Sequence, residues 1–227
     1  MAEGFFSFHE QRVLRSFASP WRPEGPVEEL LPEIFHWTAF HQGIRQRVSS
    51  YYVDAERTLI DPIVPEEGLE WFERRDPRPT QILLTNRHHY RHSDRFVETF
   101  GCVVRCHEAG LHEFEGGPAV EPFSFGDRLA TGIVALEVGA ICPEETALLI
   151  EQRDGLLAFA DGLIRSQDGS LGFVPDRYLG DDPEPIKQGL SSSFERLLEH
   201  DFDNLLFAHG SPLVGGGKRA LRTFVGA

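Results

Sequence analysis

The chain has 227 residues, of which 41% are hydrophobic and 26% charged, a composition typical of a folded globular protein rather than a disordered one. Its 36 acidic and 22 basic side chains give a formal net charge of −14, which repels phosphate backbones and anionic membranes, so we expect neither a nucleic-acid nor a membrane partner. Three cysteines are too few for a disulfide framework, and no run approaches the ~20 apolar residues of a membrane helix, so we expect a cytoplasmic protein.

The N-terminal segment, residues 1–32, differs from the rest of the chain. It carries prolines among mixed charges, which favours an arm laid over the surface rather than a separate domain. From residue 33 the pattern changes to short apolar runs bounded by turn residues. The sequence therefore predicts an arm over 1–32 and a single domain over 33–227.

The first half of this domain alternates between strand and helix patterns. The predicted strands, which are short apolar runs, are 48–53, 58–60, 81–85 and 102–106. A helix is expected over 66–75, and another begins at Ser93, whose side chain is placed to cap it. The loop that follows the third strand therefore connects a buried strand to a helix.

The second half repeats the theme. Its predicted strands are 133–138, 147–150, 156–160 and 205–208. Apolar residues at helical spacing predict one helix around Leu190 to Leu198 and a short C-terminal helix around Leu221 to Val225. Strands in two groups, with helices in both, favour two sheets packed face to face and covered outside by helices, a four-layer αββα sandwich. A single parallel sheet is the alternative.

Polar residues at the ends of these strands are the candidates for chemistry. His88, His89 and His92 lie in the loop after the third strand, and Asp161 and His209 each directly follow an apolar run. If the strands are neighbours with the same direction, these side chains converge at one edge. Imidazole and carboxylate groups are suitable donors for a divalent metal ion.

The same segments resemble, in content and order, the metallo-β-lactamase-fold superfamily over about residues 33–225. SYYVDAERTLIDP resembles the N-terminal strands of the family, and ILLTNRHH resembles the strand that runs into its His-x-His-x-Asp-His loop. LLAFAD is similar to its Gly-Asp strand, and LLFAHG to its closing strand with the last histidine. The resemblance implies an αββα fold and a metal-dependent hydrolase.

The loop departs from the family motif. Aligning Thr85 with the threonine that precedes the motif places Asn86, His88, Tyr90 and Arg91 at its four ligand positions. Of these, only His88 is an ordinary metal ligand. The other three become candidates for contact with substrate.

The other metal-ligand positions of the family lie in later segments of the chain. The resemblance places Asp161 at the bridging carboxylate and His209 at the final histidine. The third histidine falls within GAICPEETALLI, where counting back from the following strand gives Cys142, and matching Cys-Pro to the family's Thr-Pro gives Ile141. Both alignments remain open at this stage.

This donor set is too small for two metal ions. A single Zn²⁺, or Fe or Mn, is conceivable through His88, Asp161 and His209, with Cys142 as a thiolate ligand. An activated water would then attack an ester, thioester, amide or phosphoester of a small-molecule substrate, with Asp161 orienting the water.

A metal-free protein is equally consistent with the sequence. Arg91 would then form a bidentate ion pair with Asp161 in place of an ion. The pocket, with Arg91, His88 and Tyr90, would bind a small anionic ligand, as in an inactive relative of the family. Arg177 and Tyr178, in a long loop after the Asp161 strand, are further candidates for contact with a substrate or ligand.

Overall fold

The computed structural model of the chain describes residues 26–226. Most of the predicted arm, residues 1–25, lies outside the described residues. Its last part forms strand β1 (Glu28–Leu31), which pairs antiparallel with β2 (Ile34–His41). The predicted boundary at residue 32 therefore falls within a β-hairpin of the domain.

The first sheet has seven strands in sequence order. After β1 and β2 it contains β3 (Gln46–Val53), β4 (Thr58–Ile60), β5 (Gln81–Leu83), β6 (Val103–His107) and β7 (Glu121–Phe123). The strands are antiparallel from β1 to β4 and parallel from β4 to β7. Helices α1 (Glu70–Glu73) and α2 (Ser93–Phe100) connect the parallel strands.

The second sheet has five strands in the order β14-β11-β10-β9-β8. They are β8 (Arg128–Ala130), β9 (Ile133–Glu137), β10 (Thr146–Ile150), β11 (Leu156–Phe159) and β14 (Asn204–Phe207). A separate small hairpin joins β12 (Ile164–Arg165) to β13 (Leu171–Gly172). Helices α3 (Pro183–Leu197) and α4 (Gly217–Val225) complete this half.

The two sheets pack against each other, and helices cover their outer faces. Successive residues of a strand point to opposite faces, so strands that are apolar throughout contribute to two layers. In β10, for example, Leu148 lies in the cluster between the sheets, while Leu149 lies in the cluster that contains Phe194 of α3. Phe72 of α1 and Phe96 of α2 lie in a third cluster, on the other side of the first sheet. The predicted αββα sandwich is confirmed.

Tyr51 and Ser49 of β3 tie the two sheets together near the end of β14. The Tyr51 hydroxyl donates to the carbonyl oxygen of Phe207 at 2.8 Å and accepts from the amide of the same residue at 3.0 Å. The Ser49 amide donates to the carbonyl of Ala208 at 2.9 Å, and its hydroxyl donates to that of Gly210 at 3.0 Å. These contacts fix the end of β14 against the first sheet.

None of the helices in residues 26–226 combines the length and the apolar character needed to span a bilayer.

Candidate metal centre

Three polar side chains converge where the two sheets meet. Asp161 follows β11 and His209 follows β14, and these two strands are parallel, so their carboxyl ends lie side by side. His89 comes from the first sheet, in a 3-10 helix (Arg87–Tyr90) that follows β5. The arrangement brings ligand-type atoms from both halves of the domain to one place.

His89, Asp161 and His209 form a compact group, in which one ligand atom from each lies within 4.8 Å of the other two. Asp161 Oδ1 lies 3.1 Å from His209 Nε2 and 3.5 Å from His89 Nε2. The side chain of His89 is buried, whereas those of Asp161 and His209 are 29% and 20% exposed. The group is therefore reachable from solvent on the Asp161–His209 side.

The group contains His89, whereas the sequence analysis placed its neighbour His88 among the ligands. The two histidines are consecutive in this 3-10 segment, whose backbone is irregular at His89 (φ −92°, ψ 20°), and their side chains face different surroundings. His89 is buried at 5% exposure, and His88 is exposed. The alignment to the family motif assigned His88 to a ligand position from its place in the sequence. It contained no information on which way each side chain points, and it therefore did not select His89.

Asp61, at the end of β4, holds His89 from the side opposite Asp161. Its Oδ2 lies 2.9 Å from His89 Nδ1, and its Oδ1 accepts the Thr85 amide at 2.9 Å. The Thr85 hydroxyl also donates to Oδ2. Sequence reasoning missed Asp61, although its position before Pro62 at a strand end was a usable signal.

The two carboxylates set the charge of His89. Burial by itself would lower the pKa of His89, but the negative charges of Asp61 and Asp161 outweigh burial and raise the pKa to about 9. Burial by itself would likewise raise the pKa of Asp161, but the charge of His89 and hydrogen bonds from His209 and His89 hold it well below 3.8. In the metal-free protein His89 is thus a cation between two anions.

Arg91 stabilises the backbone next to His89 and Asp61 and makes no contact with Asp161. Its Nη1 donates to the carbonyl oxygens of Ser49 at 2.6 Å and Asp61 at 2.7 Å. Among the described residues the guanidinium makes no ion pair with Asp161, so the predicted bidentate pair is wrong in this structure. Arg91 has a φ of 48°, just after the 3-10 helix, and its hydrogen bonds join β3 to the end of β4.

Asn86 and Cys142 form a buried cluster with Glu145 next to the His89 group. The amide nitrogen of Asn86 donates to Cys142 Sγ at 3.4 Å and to Glu145 Oε2 at 3.0 Å. Cys142 is thus the residue that faces Asn86, while Ile141 packs in the cluster on the α3 side. Burial raises the pKa of the Cys142 thiol far above its usual value, which opposes the predicted thiolate. Cys142 is also outside the His89 group.

The other predicted contact residues lie in two places. The half-buried Tyr90 ring packs against Phe114, with ring centroids 5.7 Å apart. Arg177 and Tyr178 belong to a 3-10 helix (Asp176–Tyr178), where the guanidinium lies 4.7 Å from the tyrosine ring centroid and donates to its hydroxyl. Contact of these three residues with a substrate stays a prediction.

Comparison with known proteins identifies the fold. No sequence-family model and no curated protein matches the chain. Among solved structures, a metallo-beta-lactamase from Pontibacter korlensis is 16% identical, with a TM-score of 0.64 over 88% of this chain and 97% of its own. A metallo-beta-lactamase family protein from Thermus thermophilus is 16% identical, with a TM-score of 0.62 over 87% and 80%. TTHA1623 in a di-iron-bound form is 23% identical, with a TM-score of 0.58 over 88% and 100%. The chain therefore has the metallo-β-lactamase fold.

Proposed function

We propose that this protein is a metal-dependent hydrolase whose single metal ion is held by His89, Asp161 and His209. The observation that carries the proposal is the convergence of these three side chains within 4.8 Å. Two imidazoles and one carboxylate are a donor set used for Zn²⁺ and for non-haem Fe²⁺, and three protein ligands leave coordination positions open. TTHA1623, of the same fold, has been crystallised in a di-iron-bound form.

The surroundings of His89 favour a ligand role. Histidines that bind metals usually donate their other ring N–H to a carboxylate, which fixes the tautomer. Asp61 is placed for this at His89 Nδ1, which leaves Nε2 facing Asp161. The Thr85 amide and the Arg91 guanidinium hold Asp61 in turn, at its carboxylate and its carbonyl.

A second metal ion would lack ligands among residues 26–226. Asn86 and Arg91, at two of the family's ligand positions, present N–H groups rather than lone pairs: Asn86 Nδ2 and Arg91 Nη1 donate hydrogen bonds, and the buried Arg91 Nη2 has no partner among the described residues. Within residues 26–226, no second group of three histidine, cysteine or acidic side chains lies close enough together to bind an ion. These features support a mononuclear centre.

The residues around the candidate metal centre indicate which kind of reaction it could catalyse. A divalent ion would supply a Lewis acid that activates water and polarises a carbonyl or phosphoryl group. Asp161 and His209 border the solvent-accessible side, where a substrate can enter, while the buried His89 and Asp61 keep the opposite side closed. We propose an ester, thioester, amide or phosphoester as the substrate class.

The test is metal content. The protein is purified without a metal-binding tag, and bound Zn, Fe and Mn are measured by mass spectrometry for wild type, Asp161→Asn and His209→Gln. His112→Gln, which changes an exposed histidine in another 3-10 helix (Glu108–Phe114), is the matched control. About one ion per chain, lost in the first two variants and kept in the control, supports the proposal. A wild-type protein that stays metal-free after incubation with excess Zn²⁺ and Fe²⁺ contradicts it.

A metal-free anion-binding protein is the second candidate. It is favoured by the close contacts that already join Asp161 Oδ1 to both histidines, and by Arg91, a permanent cation beside them. Calorimetric titration with inorganic phosphate separates the candidates. Binding by metal-free wild type that is lost in Arg91→Gln supports the second, whereas binding only by metal-loaded protein supports the first.

A further inference from the structure

Glu145, which directly precedes β10, is a buried carboxylate connected to two segments of the candidate metal centre. Its side-chain Oε1 accepts hydrogen bonds from the backbone amides of Asp161 at 2.9 Å and Gly162 at 2.7 Å. The residue is 1% exposed. The turn that carries Asp161 is therefore fixed by one side chain that lies just before the neighbouring strand β10.

The other oxygen of Glu145 reaches the opposite side of the centre. Oε2 accepts from Asn86 Nδ2 at 3.0 Å, and Asn86 Oδ1 in turn accepts from the amide of His88 at 2.9 Å. This second bond caps the 3-10 helix that carries His89. The Asn86–Glu145 contact thus links the segment of His89 to the segment of Asp161 across the two sheets.

The hydrogen-bond pattern explains why an acid is needed at position 145. Both sides of the side chain face N–H donors, so each side requires an acceptor. A glutamine would keep one acceptor but turn its NH₂ group toward either the Asn86 amide or the Asp161 backbone amide. A buried donor facing a donor leaves both unsatisfied, which is costly.

We propose that Glu145, with Asn86 as its partner, is a positioning residue that sets the separation of Asp161 and His89. The inference rests on the proposed function for its consequence, which is metal affinity. Glu145 is not part of the group of ligand atoms formed by His89, Asp161 and His209, and its oxygens accept from three N–H groups.

The test exchanges donor and acceptor across the Asn86–Glu145 contact. Glu145→Gln loses an acceptor, and Asn86→Asp provides one, so the double variant restores the hydrogen bond with its polarity reversed. Co²⁺ is the probe, and its dissociation constant and visible absorption spectrum are measured for wild type, both single variants and the double variant. Glu137→Gln, an exposed acid on the adjacent strand β9, is the matched control.

Groups behind the ligands typically contribute about 10–100-fold to metal affinity. We therefore expect Glu145→Gln to weaken Co²⁺ binding about 10–100-fold and to change the spectrum, and the double variant to recover both. Unchanged binding and spectrum in Glu145→Gln, or losses that simply add in the double variant, overturn the proposal.

A second readout keeps the positioning role separate from the proposed function. In metal-free protein, the ring ¹⁵N signals of His89 and His209 report their contacts with Asp161. If wild type binds no Co²⁺, the hydrolase proposal fails, and the ¹⁵N signals alone decide the positioning role. A shift of these ¹⁵N signals in Glu145→Gln that is reversed in the double variant supports the positioning role. Signals that do not change in Glu145→Gln overturn it.

Discussion

Replacing Asp61 by Asn tests the charge arrangement around His89 most quantitatively. The variant removes the negative charge that contributes most to raising the pKa of His89 from 6.5 to about 9. Each pKa unit corresponds to about 1.4 kcal/mol, so this increase in pKa corresponds to about 3 kcal/mol of folding free energy in the metal-free protein. Because the pKa is higher in the folded state, that contribution is complete below pH 6.5 and is lost as the pH rises through 9.

The assay is urea unfolding of metal-free wild type and Asp61→Asn at pH 6 and pH 9.5, with a chelator present. We expect the variant to have a lower free energy of unfolding than wild type at both pH values. The difference in this free energy between the two proteins should be smaller at pH 9.5 than at pH 6, by up to about 3 kcal/mol. Asp201→Asn, an exposed acid, is the control and should follow wild type. An equal difference at pH 6 and pH 9.5 would refute the reasoning that His89 is a cation held by Asp61.

Three further predictions concern contacts that position the centre. Tyr51→Phe leaves the buried amide and carbonyl of Phe207 without their partner, and we expect a loss of about 2–4 kcal/mol by urea unfolding. Glu144→Ala leaves Arg87 as a buried cation without its main partner, and we expect a loss of about 3–5 kcal/mol in the same assay. Gly210 has a φ of 113° and an added Cβ would overlap a neighbouring backbone carbonyl, so Gly210→Ala should displace the adjacent histidine and weaken Zn²⁺ binding measured by chelator competition. A variant whose stability or Zn²⁺ affinity equals that of wild type would contradict the role assigned to the contact that it removes or disturbs.

The layers of the fold were predictable because strands buried on both faces are apolar throughout. The run at residues 81–85 and the segment that became β10 have this character, and both proved central. Strand β2 was missed because its sequence, IFHWTAFH, mixes buried polar and apolar residues. Helix α1 is one turn, shorter than the expected 66–75, and Gly68 before it adopts a left-handed φ of 73°.

The geometry of the candidate site could be predicted at the strand ends and not within the loop. Asp161 and His209 directly follow apolar runs, so the parallel pairing of β11 and β14 sufficed to bring them together. The choice between His88 and His89 depends on the local 3-10 conformation, which a motif alignment does not encode. Glu145 looked like one acid among many, because its role arises only from the backbone amides that it faces.

The most direct test of the central claim compares two adjacent histidines. Bound metal per chain is measured for wild type, His89→Gln and His88→Gln after equal exposure to Zn²⁺. The account predicts about one ion in wild type and in His88→Gln, and a loss of binding in His89→Gln. Retention of the ion in His89→Gln, with its loss in His88→Gln, would contradict the assignment of His89, Asp161 and His209 as the metal centre.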